Sequence, residues 1–191
     1  MRPIELVVPQ AQLLPGYIAA LERHWTPDAD HDPPGAAKIL ATVRRDPTAF
    51  LASLSNPEGK GPPVELEDGS SVPRLPWARY WISDGEYAGD INLRWQAGTP
   101  ELPPYCLGHV GYAVVPWKRG AGYACSALLG LLPIARQLAL PWLDISMAAE
   151  NTASWRTAQA AGAVLVKAFD AGAEHGNQNA LLYRLHVPPA T

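Results

Sequence analysis

Cysteine is scarce in this sequence, which limits the kinds of protein it can encode. Of 191 residues only two are cysteines, Cys106 and Cys125, and they do not form a C-x-x-C pair. Two isolated cysteines cannot build a disulfide framework or a cysteine-based zinc site. Ordinary thiols in a reducing compartment are therefore expected.

An excess of charge of one sign and long apolar runs are also lacking. Fifteen basic and eighteen acidic residues give a net charge of −3, so nothing indicates a nucleic-acid or anionic-membrane partner. The N-terminal apolar run is too short for a signal peptide. The uncharged stretch 121–135 falls short of the ~20 residues that span a bilayer. We expect a cytoplasmic protein with a single domain over residues 1–191.

A metal site is not expected either. His24 and His31 lie near Asp28, Asp30 and Asp32, but this segment is broken by prolines. Such a composition is typical of a solvated acidic loop.

Hydrophobic periodicity and turn residues predict a mixed sheet flanked by helices, that is, an α/β (α+β mixed) fold. The predicted strands cover residues 4–8, 78–84, 87–95, 109–115, 142–147, 164–169 and 180–185. The predicted helices cover residues 10–23, 36–54 (interrupted near Pro47), 122–138 and 151–161, with Asn151 as the N-cap of the last.

The stretch VVPWKRGAGYA, residues 114–124, is the most informative part of the chain. It follows a predicted buried strand and opens a predicted buried helix, where backbone amides are unpaired and the helix dipole is positive. Gly120 and Gly122 allow close approach to the main chain, and Arg119 adds a cationic fork. These features predict a diphosphate on the amides of residues 120–124. The chain has neither a P-loop motif nor an early G-x-G-x-x-G motif.

These residues resemble the GNAT N-acetyltransferase family, and most closely a subgroup of predicted small acetyltransferases. The segment Arg119–Ala124 fits the family's Q/R-x-x-G-x-G/A signature, and the similarity extends over about residues 78–186. The resemblance implies the GNAT fold, a mostly antiparallel sheet whose fourth and fifth strands splay apart. It also implies an acetyl-CoA-binding core over 78–186, with residues 1–77 supplying the N-terminal strand, helices and acceptor-side loops.

The resemblance further implies which residues bind the cofactor, acetyl-CoA. The pantetheine arm would pair with the end of the fourth strand, where one amide near Val114 or Val115 would face the thioester oxygen. The implied cofactor-binding residues are Ala113, Val114, Val115, Arg119, Gly120, Ala121, Gly122, Tyr123, Ala124, Asn151 and Ser154.

The catalytic acid and base are harder to assign. Where many family members carry a tyrosine as the acid, this chain has Ala158, so water, Tyr112 or Ser154 would have to serve. For the base that takes the amine proton, His109 and Glu150 are candidates, and Asp90 is a third. A structural histidine and a solvated or helix-capping carboxylate are the alternative interpretations of the first two.

The expected reaction is direct acetyl transfer from acetyl-CoA to a primary amine of a small molecule or peptide, without a metal. Trp77 and Trp81 are candidate acceptor-pocket residues, although core packing also explains them. Two alternatives stay open: a catalytically silent CoA-binding module of the same fold, and a phosphate-binding regulator that uses only the glycine-rich turn. Either a monomer or a homodimer is compatible with the sequence.

Overall fold

The computed structural model describes residues 3–66, 68–172 and 179–189. Its helices are α1 Leu14–Glu22, α2 Pro33–Arg45, α3 Pro47–Ala52, α4 Tyr123–Gln137 and α5 Thr152–Ala160, with single 3-10 turns at Ala11–Leu13 and Pro116–Lys118. Its strands are β1 Glu5–Val7, β2 Ser55–Asn56, β3 Val64–Glu65, β4 Ser71–Val72, β5 Trp77–Ser83, β6 Tyr87–Arg94, β7 Val110–Val114, β8 Trp142–Ala148, β9 Val164–Asp170 and β10 Asn179–His186.

The strands form two main sheets and a short ribbon. One sheet has the order β1-β5-β6-β7, with β2 also paired to β5, and the other has the order β8-β10-β9. The strands β3 and β4 pair only with each other. Thus β7 is an edge strand of one sheet and β8 is an edge strand of the other. These two strands correspond to the family's fourth and fifth strands, which are expected to splay apart. The strand β1 pairs with β5, and β10 pairs with β8 and β9, all in antiparallel fashion.

The chain forms two compact units. The first consists of Met1–Ser55, Arg79–Asn92 and Tyr112–Gly130. Its core is built on aromatic side chains: Tyr17 of α1 stacks on Trp81 of β5 at 5.2 Å between ring centroids and meets Tyr87 of β6 edge-on at 5.2 Å. Because such rings bury large apolar areas, this cluster holds helices α1 and α2 against the sheet.

The second unit consists of Asn56–Ala78, Leu93–Gly111 and Leu131–Thr191. Its β8-β10-β9 sheet places Arg184 directly opposite Asp144, and the two side chains form a bidentate ion pair with N–O distances of 2.7 and 2.8 Å. Helix α5 packs on this sheet through side chains such as the buried Ala158.

The long predicted elements are confirmed, with shifted ends. The helix expected over 36–54 is two helices, because Pro47 supplies no amide to continue the first and Asp46 caps the second through the amide of Ala49 at 2.9 Å. The short strands β2, β3 and β4 were not predicted, since two-residue strands leave no periodic pattern. Within the described residues, no helix is long and apolar enough to span a membrane.

Candidate functional site

The turn between β7 and α4 lies where the sequence predicts it, between a strand and a long helix. Gly120 and Gly122 have φ angles of 75° and 81°, in the left-handed region that L side chains rarely adopt. A Cβ added at either position would have no heavy atom within 4 Å. The space beside the main chain is therefore open, and a ligand can approach it closely.

The amides of this turn are available to a ligand. Among the described residues, none accepts a hydrogen bond from the amides of Gly120, Ala121 or Gly122. The first amide after them with a partner is that of Ser126, which donates to the Gly122 carbonyl at 2.9 Å. Because α4 begins at Tyr123, the amides of its first turn also lack helical acceptors. This row of N–H groups at a helix N-terminus suits a diphosphate.

Arg119 does not offer the free fork that the sequence suggested. Its Nε donates to the Val114 carbonyl at 2.9 Å, and its Nη1 donates to Asp30 Oδ2 at 2.8 Å. Its Nη2 also contacts the other oxygen of Asp30. The bonds from Arg119 lower the pKa of Asp30, so the carboxylate is charged at neutral pH. Asp30 is 89 residues away in sequence, and no local pattern could have predicted this pair.

The neighbouring residues Lys118 and Tyr123 are tied to a second carboxylate. Lys118 Nζ lies 2.7 and 2.9 Å from the two oxygens of Asp84, and the Tyr123 hydroxyl donates to the same group. Partial burial opposes ionisation of Asp84, but these bonds outweigh it and hold its pKa at about 2. The cationic side chains of the turn are therefore paired within the protein, and the open donors are main-chain amides.

An aromatic side chain borders this turn. Trp117 is 46% exposed, and the Arg23 guanidinium lies over its ring, with Cζ 4.3 Å from the ring centroid. This is cation–π geometry. A partly exposed indole, with an arginine over its ring, therefore lies next to residues 119–124.

The end of β7 leaves one of the two expected amides available. The Val115 amide donates to the Ala88 carbonyl at 3.0 Å, so of the pair Val114 and Val115 it is Val114 that can face a thioester oxygen. Because successive residues of a strand point their amides to opposite edges, the amide of Val114 is turned away from β6. At Gly89 of β6 a Cβ would lie 2.2 Å from the Ala113 carbonyl oxygen, so glycine is needed for the close approach to β7.

His109 is a structural residue in this geometry, which does not support its expected role as base. It is fully buried; its Nδ1 accepts from the Asp144 amide at 3.0 Å, and its Nε2 lies 3.2 Å from the Pro100 carbonyl. A carbonyl only accepts, so Nε2 carries the proton and the ring is neutral. Burial lowers the pKa of His109 despite the nearby Asp144 carboxylate. Neither nitrogen is left to take a proton from an amine.

The other candidates lie in different settings. Glu150 is exposed in the turn between β8 and α5, and its carbonyl accepts from the Thr152 amide at 2.7 Å. Asn151 caps α5 as predicted, its Oδ1 accepting from the Ser154 amide at 3.1 Å. Its side-chain NH2 group points to no acceptor among the described residues. Tyr112 is half-buried in β7.

Asp90 and Trp81 belong to the aromatic core of the first unit. Asp90 is almost fully buried in β6, accepts from the Tyr87 hydroxyl and lies 3.6 Å from Arg79 Nη1. Burial raises the pKa of Asp90 to about 6 against the pull of Arg79. Trp81 is fully buried, so the suggestion that it lines an acceptor pocket is not supported, and Trp77 is half-buried.

A family model described as an acetyltransferase (GNAT) domain matches residues 39–164, well over half of the chain. The chain belongs to the GNAT acetyltransferase family. As a GNAT domain it is an acetyl-CoA-dependent acetyltransferase. Within the described residues, no group of three or more His, Cys, Asp or Glu side chains is placed to hold a metal ion.

Solved structures extend the likeness to the whole chain. The microcin C7 self-immunity acetyltransferase MccE, in complex with acetyl-CoA and AMP, has a TM-score of 0.61 at 11% identity and covers 96% of this GNAT chain and 92% of its own. A Salmonella typhimurium acetyltransferase that modifies the N-terminal serine of ribosomal protein L7/L12 has a TM-score of 0.58 at 14% identity, covering 97% and 95%. An Agrobacterium tumefaciens acetyltransferase has a TM-score of 0.52 at 19% identity, covering 96% and 90%. These identities show the fold alone. No curated protein matches the chain significantly.

Proposed function

We propose that this GNAT domain transfers the acetyl group of acetyl-CoA directly to a primary amine of a small molecule or peptide. The observation that carries the proposal is the row of amides at Gly120, Ala121 and Gly122, which have no acceptor among the described residues. An array of main-chain donors at the start of a long helix fits the diphosphate of the coenzyme. Bound there, acetyl-CoA supplies an activated acetyl thioester.

Residues outside the turn have supporting roles in this proposal. The amide of Val114 is the donor we assign to the thioester oxygen, because the Val115 amide is already bonded to Ala88. The side-chain amide of Asn151 keeps its NH2 group for the coenzyme while its oxygen caps α5. Ser154 lies in the first turn of the same helix.

The acceptor must lose a proton, since an ammonium cannot attack a thioester. Of the three candidate bases, His109 has both ring nitrogens bonded and Asp90 is enclosed in the core. Glu150 is the exposed carboxylate, and within the described ranges no side-chain partner holds it. We therefore assign proton removal to Glu150, acting through water.

The departing thiolate does not depend on a protein acid. The position where many family members have a tyrosine is Ala158, and it is buried. A thiol of pKa about 8.5 leaves as its anion near neutral pH, so an acid is worth only ~1.4 kcal/mol for each pKa unit it must cover. Water, Tyr112 or Ser154 remains as the final proton donor.

The buried Ala158 also favours a second candidate, a silent CoA-binding module of the same fold. Thiol release from acetyl-CoA over a panel of amines separates the two functions. One of the structurally similar acetyltransferases modifies an N-terminal serine. The panel therefore includes a peptide that begins with serine as well as small-molecule amines. We expect thiol release with at least one amine, reduced in Glu150→Gln. Binding of acetyl-CoA without release by any amine would favour the silent module.

Binding is tested separately by thermal stabilisation. A ligand that binds only the folded state at a hundred times its Kd stabilises by ~2.7 kcal/mol. We expect acetyl-CoA to raise the melting temperature, with ATP and NAD having no comparable effect. Equal stabilisation by all three would support a general phosphate-binding regulator instead.

A further inference from the structure

The acidic loop, residues 24–32 between α1 and α2, reaches the phosphate-binding turn through one side chain. Asp30 accepts two hydrogen bonds from the guanidinium of Arg119, with one N–O distance of 2.8 Å. The third nitrogen of that guanidinium, Nε, donates to the Val114 carbonyl. Arg119 is thus oriented by the strand, and its outer face is occupied by a carboxylate.

A carboxylate and a phosphate use the same two-oxygen geometry toward an arginine fork. The amides of Gly120 and Ala121 follow Arg119 directly, so a diphosphate on those amides comes within the neighbourhood of the fork. Asp30 therefore holds a position for which a coenzyme phosphate competes. An ionised aspartate beside that site also repels the incoming phosphate charge.

Exposure distinguishes this ion pair from the neighbouring one. The side chains of Arg119 and Asp30 are 45% and 62% exposed, whereas that of Lys118, bonded to Asp84, is 14% exposed. Exposed ion pairs are weak and easily exchanged. The Arg119–Asp30 pair is therefore the one of the two that an incoming anion can open.

The acidic loop is anchored on both sides of Asp30, whose own side chain is held by Arg119. Trp25 is buried, the Asp32 amide donates to the His24 carbonyl at 2.7 Å, and Asp32 caps α2 through the amide of Gly35 at 3.0 Å. Asp30 lies between these anchors and is exposed. Within the loop, the amides of Thr26 and Ala29 each donate to the other's carbonyl, at 2.9 and 3.3 Å. Opening the bond to Arg119 therefore frees the short stretch around Asp30 and leaves the rest of the loop in place.

We propose that Asp30 is an internal anion that holds Arg119 until a phosphate of the coenzyme replaces it. The inference rests on the proposed coenzyme site at residues 120–124. Coenzyme binding then releases the stretch of the acidic loop around Asp30, so this part of the acceptor side changes only after the coenzyme is bound. Asp30 is a positioning residue that acts through Arg119.

The first test compares two variants that remove the same charge from the same loop. Asp30→Asn removes the charge and one of the two oxygens that accept from Arg119. Asp28→Asn serves as the control because Asp28 is exposed and is not bonded to Arg119. By calorimetry with CoA at low salt, we expect Asp30→Asn to bind about two- to five-fold more tightly than Asp28→Asn, the range that exposed ion pairs contribute. This gain in affinity should be smaller in 0.5 M salt, which screens the charges. It should be absent for pantetheine, which has no phosphate, and absent when both variants also carry Arg119→Gln.

The second test follows the loop itself by hydrogen exchange. We expect CoA to increase amide exchange at residues 30 and 31 of the unmodified protein, and to change it much less in Asp30→Asn, where the bond to Arg119 is already weakened. Reduced exchange on CoA binding would show that Asp30 keeps its bond and would overturn the proposal.

The outcomes separate this inference from the proposed function. If the unmodified protein does not bind CoA, the coenzyme site at residues 120–124 is wrong. If CoA binds and Asp30→Asn has the affinity of Asp28→Asn or a weaker one, only the exchange role of Asp30 is wrong.

Discussion

Asp90 places a titratable carboxyl inside the aromatic core of the first unit. Its pKa of about 6 exceeds the ordinary 3.8 because burial penalises the charged form. The folded protein therefore binds this proton more tightly than the unfolded chain does. It follows that stability falls as the pH rises from about 4 to above 6, by ~3 kcal/mol for a shift of about two pKa units.

Replacing Asp90 with asparagine should remove this dependence. An asparagine can still accept from the Tyr87 hydroxyl but has no charge to bury. We expect the unfolding free energy of Asp90→Asn, relative to the unmodified protein, to rise by ~3 kcal/mol between pH 4 and pH 7. Urea unfolding at each pH measures the difference. If the difference in unfolding free energy between the two proteins did not change from pH 4 to pH 7, the raised pKa of Asp90 would be wrong.

For His109 the prediction concerns both stability and the pH profile. His109→Gln must re-form bonds to the Asp144 amide and the Pro100 carbonyl in a buried site, so a loss of about 1–3 kcal/mol is expected. The acidic limb of kcat/KM against pH should stay where it is, because the ring takes no proton from the acceptor. If His109→Gln lost the acidic limb of kcat/KM but kept the stability of the unmodified protein, His109 would be the base after all.

The tertiary partners of several candidate site residues could not be predicted from the sequence. The sequence suggested that His109, Arg119 and Trp81 face a ligand, yet each is held by partners distant in the chain, such as Asp144, Asp30 and Tyr17. Residue type indicates what chemistry a side chain can do. Which side chains are already satisfied depends on tertiary contacts that no local pattern contains.

At the scale of elements, the turn before α4 is the feature that the sequence predicted best. Its two glycines, the strand before it and the helix after it are all local signals. The same holds for the Asn151 cap, which needs only residues 151–154. The strands β2–β4 were missed for the opposite reason, because pairing partners and not their own residues define them.

The turn also allows a matched test of phosphate binding. Gly122 and Gly98 have φ angles of 81° and 80°, and at neither does an added Cβ meet an atom within 4 Å. Alanine at each therefore costs a similar backbone strain, about 1–2 kcal/mol. We expect Gly122→Ala alone to weaken CoA binding, by about ten-fold or more, since hydrogen bonds to charged groups are worth ~1.5–3 kcal/mol.

Calorimetry with CoA and thermal melting of both variants complete that comparison. Equal losses of melting temperature show that the strain is matched. Equal CoA affinity in the two variants would mean that the diphosphate does not lie on the amides around Gly122.

At the scale of the whole molecule, the two units are not independent along the chain. Each of the five points where the chain passes from one unit to the other falls inside an element, namely β2, β5, β6, β7 or α4. A helix or strand cannot unfold in one half without losing hydrogen bonds in the other. Domain boundaries normally fall in exposed linkers instead.

We therefore expect a single unfolding transition. Urea curves followed by circular dichroism and by tryptophan emission should coincide, with one midpoint. Two separated midpoints would show that the units unfold separately despite their shared elements.

The placement of Trp117 has an optical consequence. Its indole is half-exposed beside the turn before α4, while Trp25 and Trp81 are enclosed in the core. Shielded indoles emit at shorter wavelengths and resist soluble quenchers such as acrylamide, whereas Trp117 is open to both water and quencher. The other four tryptophans are partly buried, so the part of the quenching that is lost in Trp117→Phe is the part that follows a ligand bound at the turn.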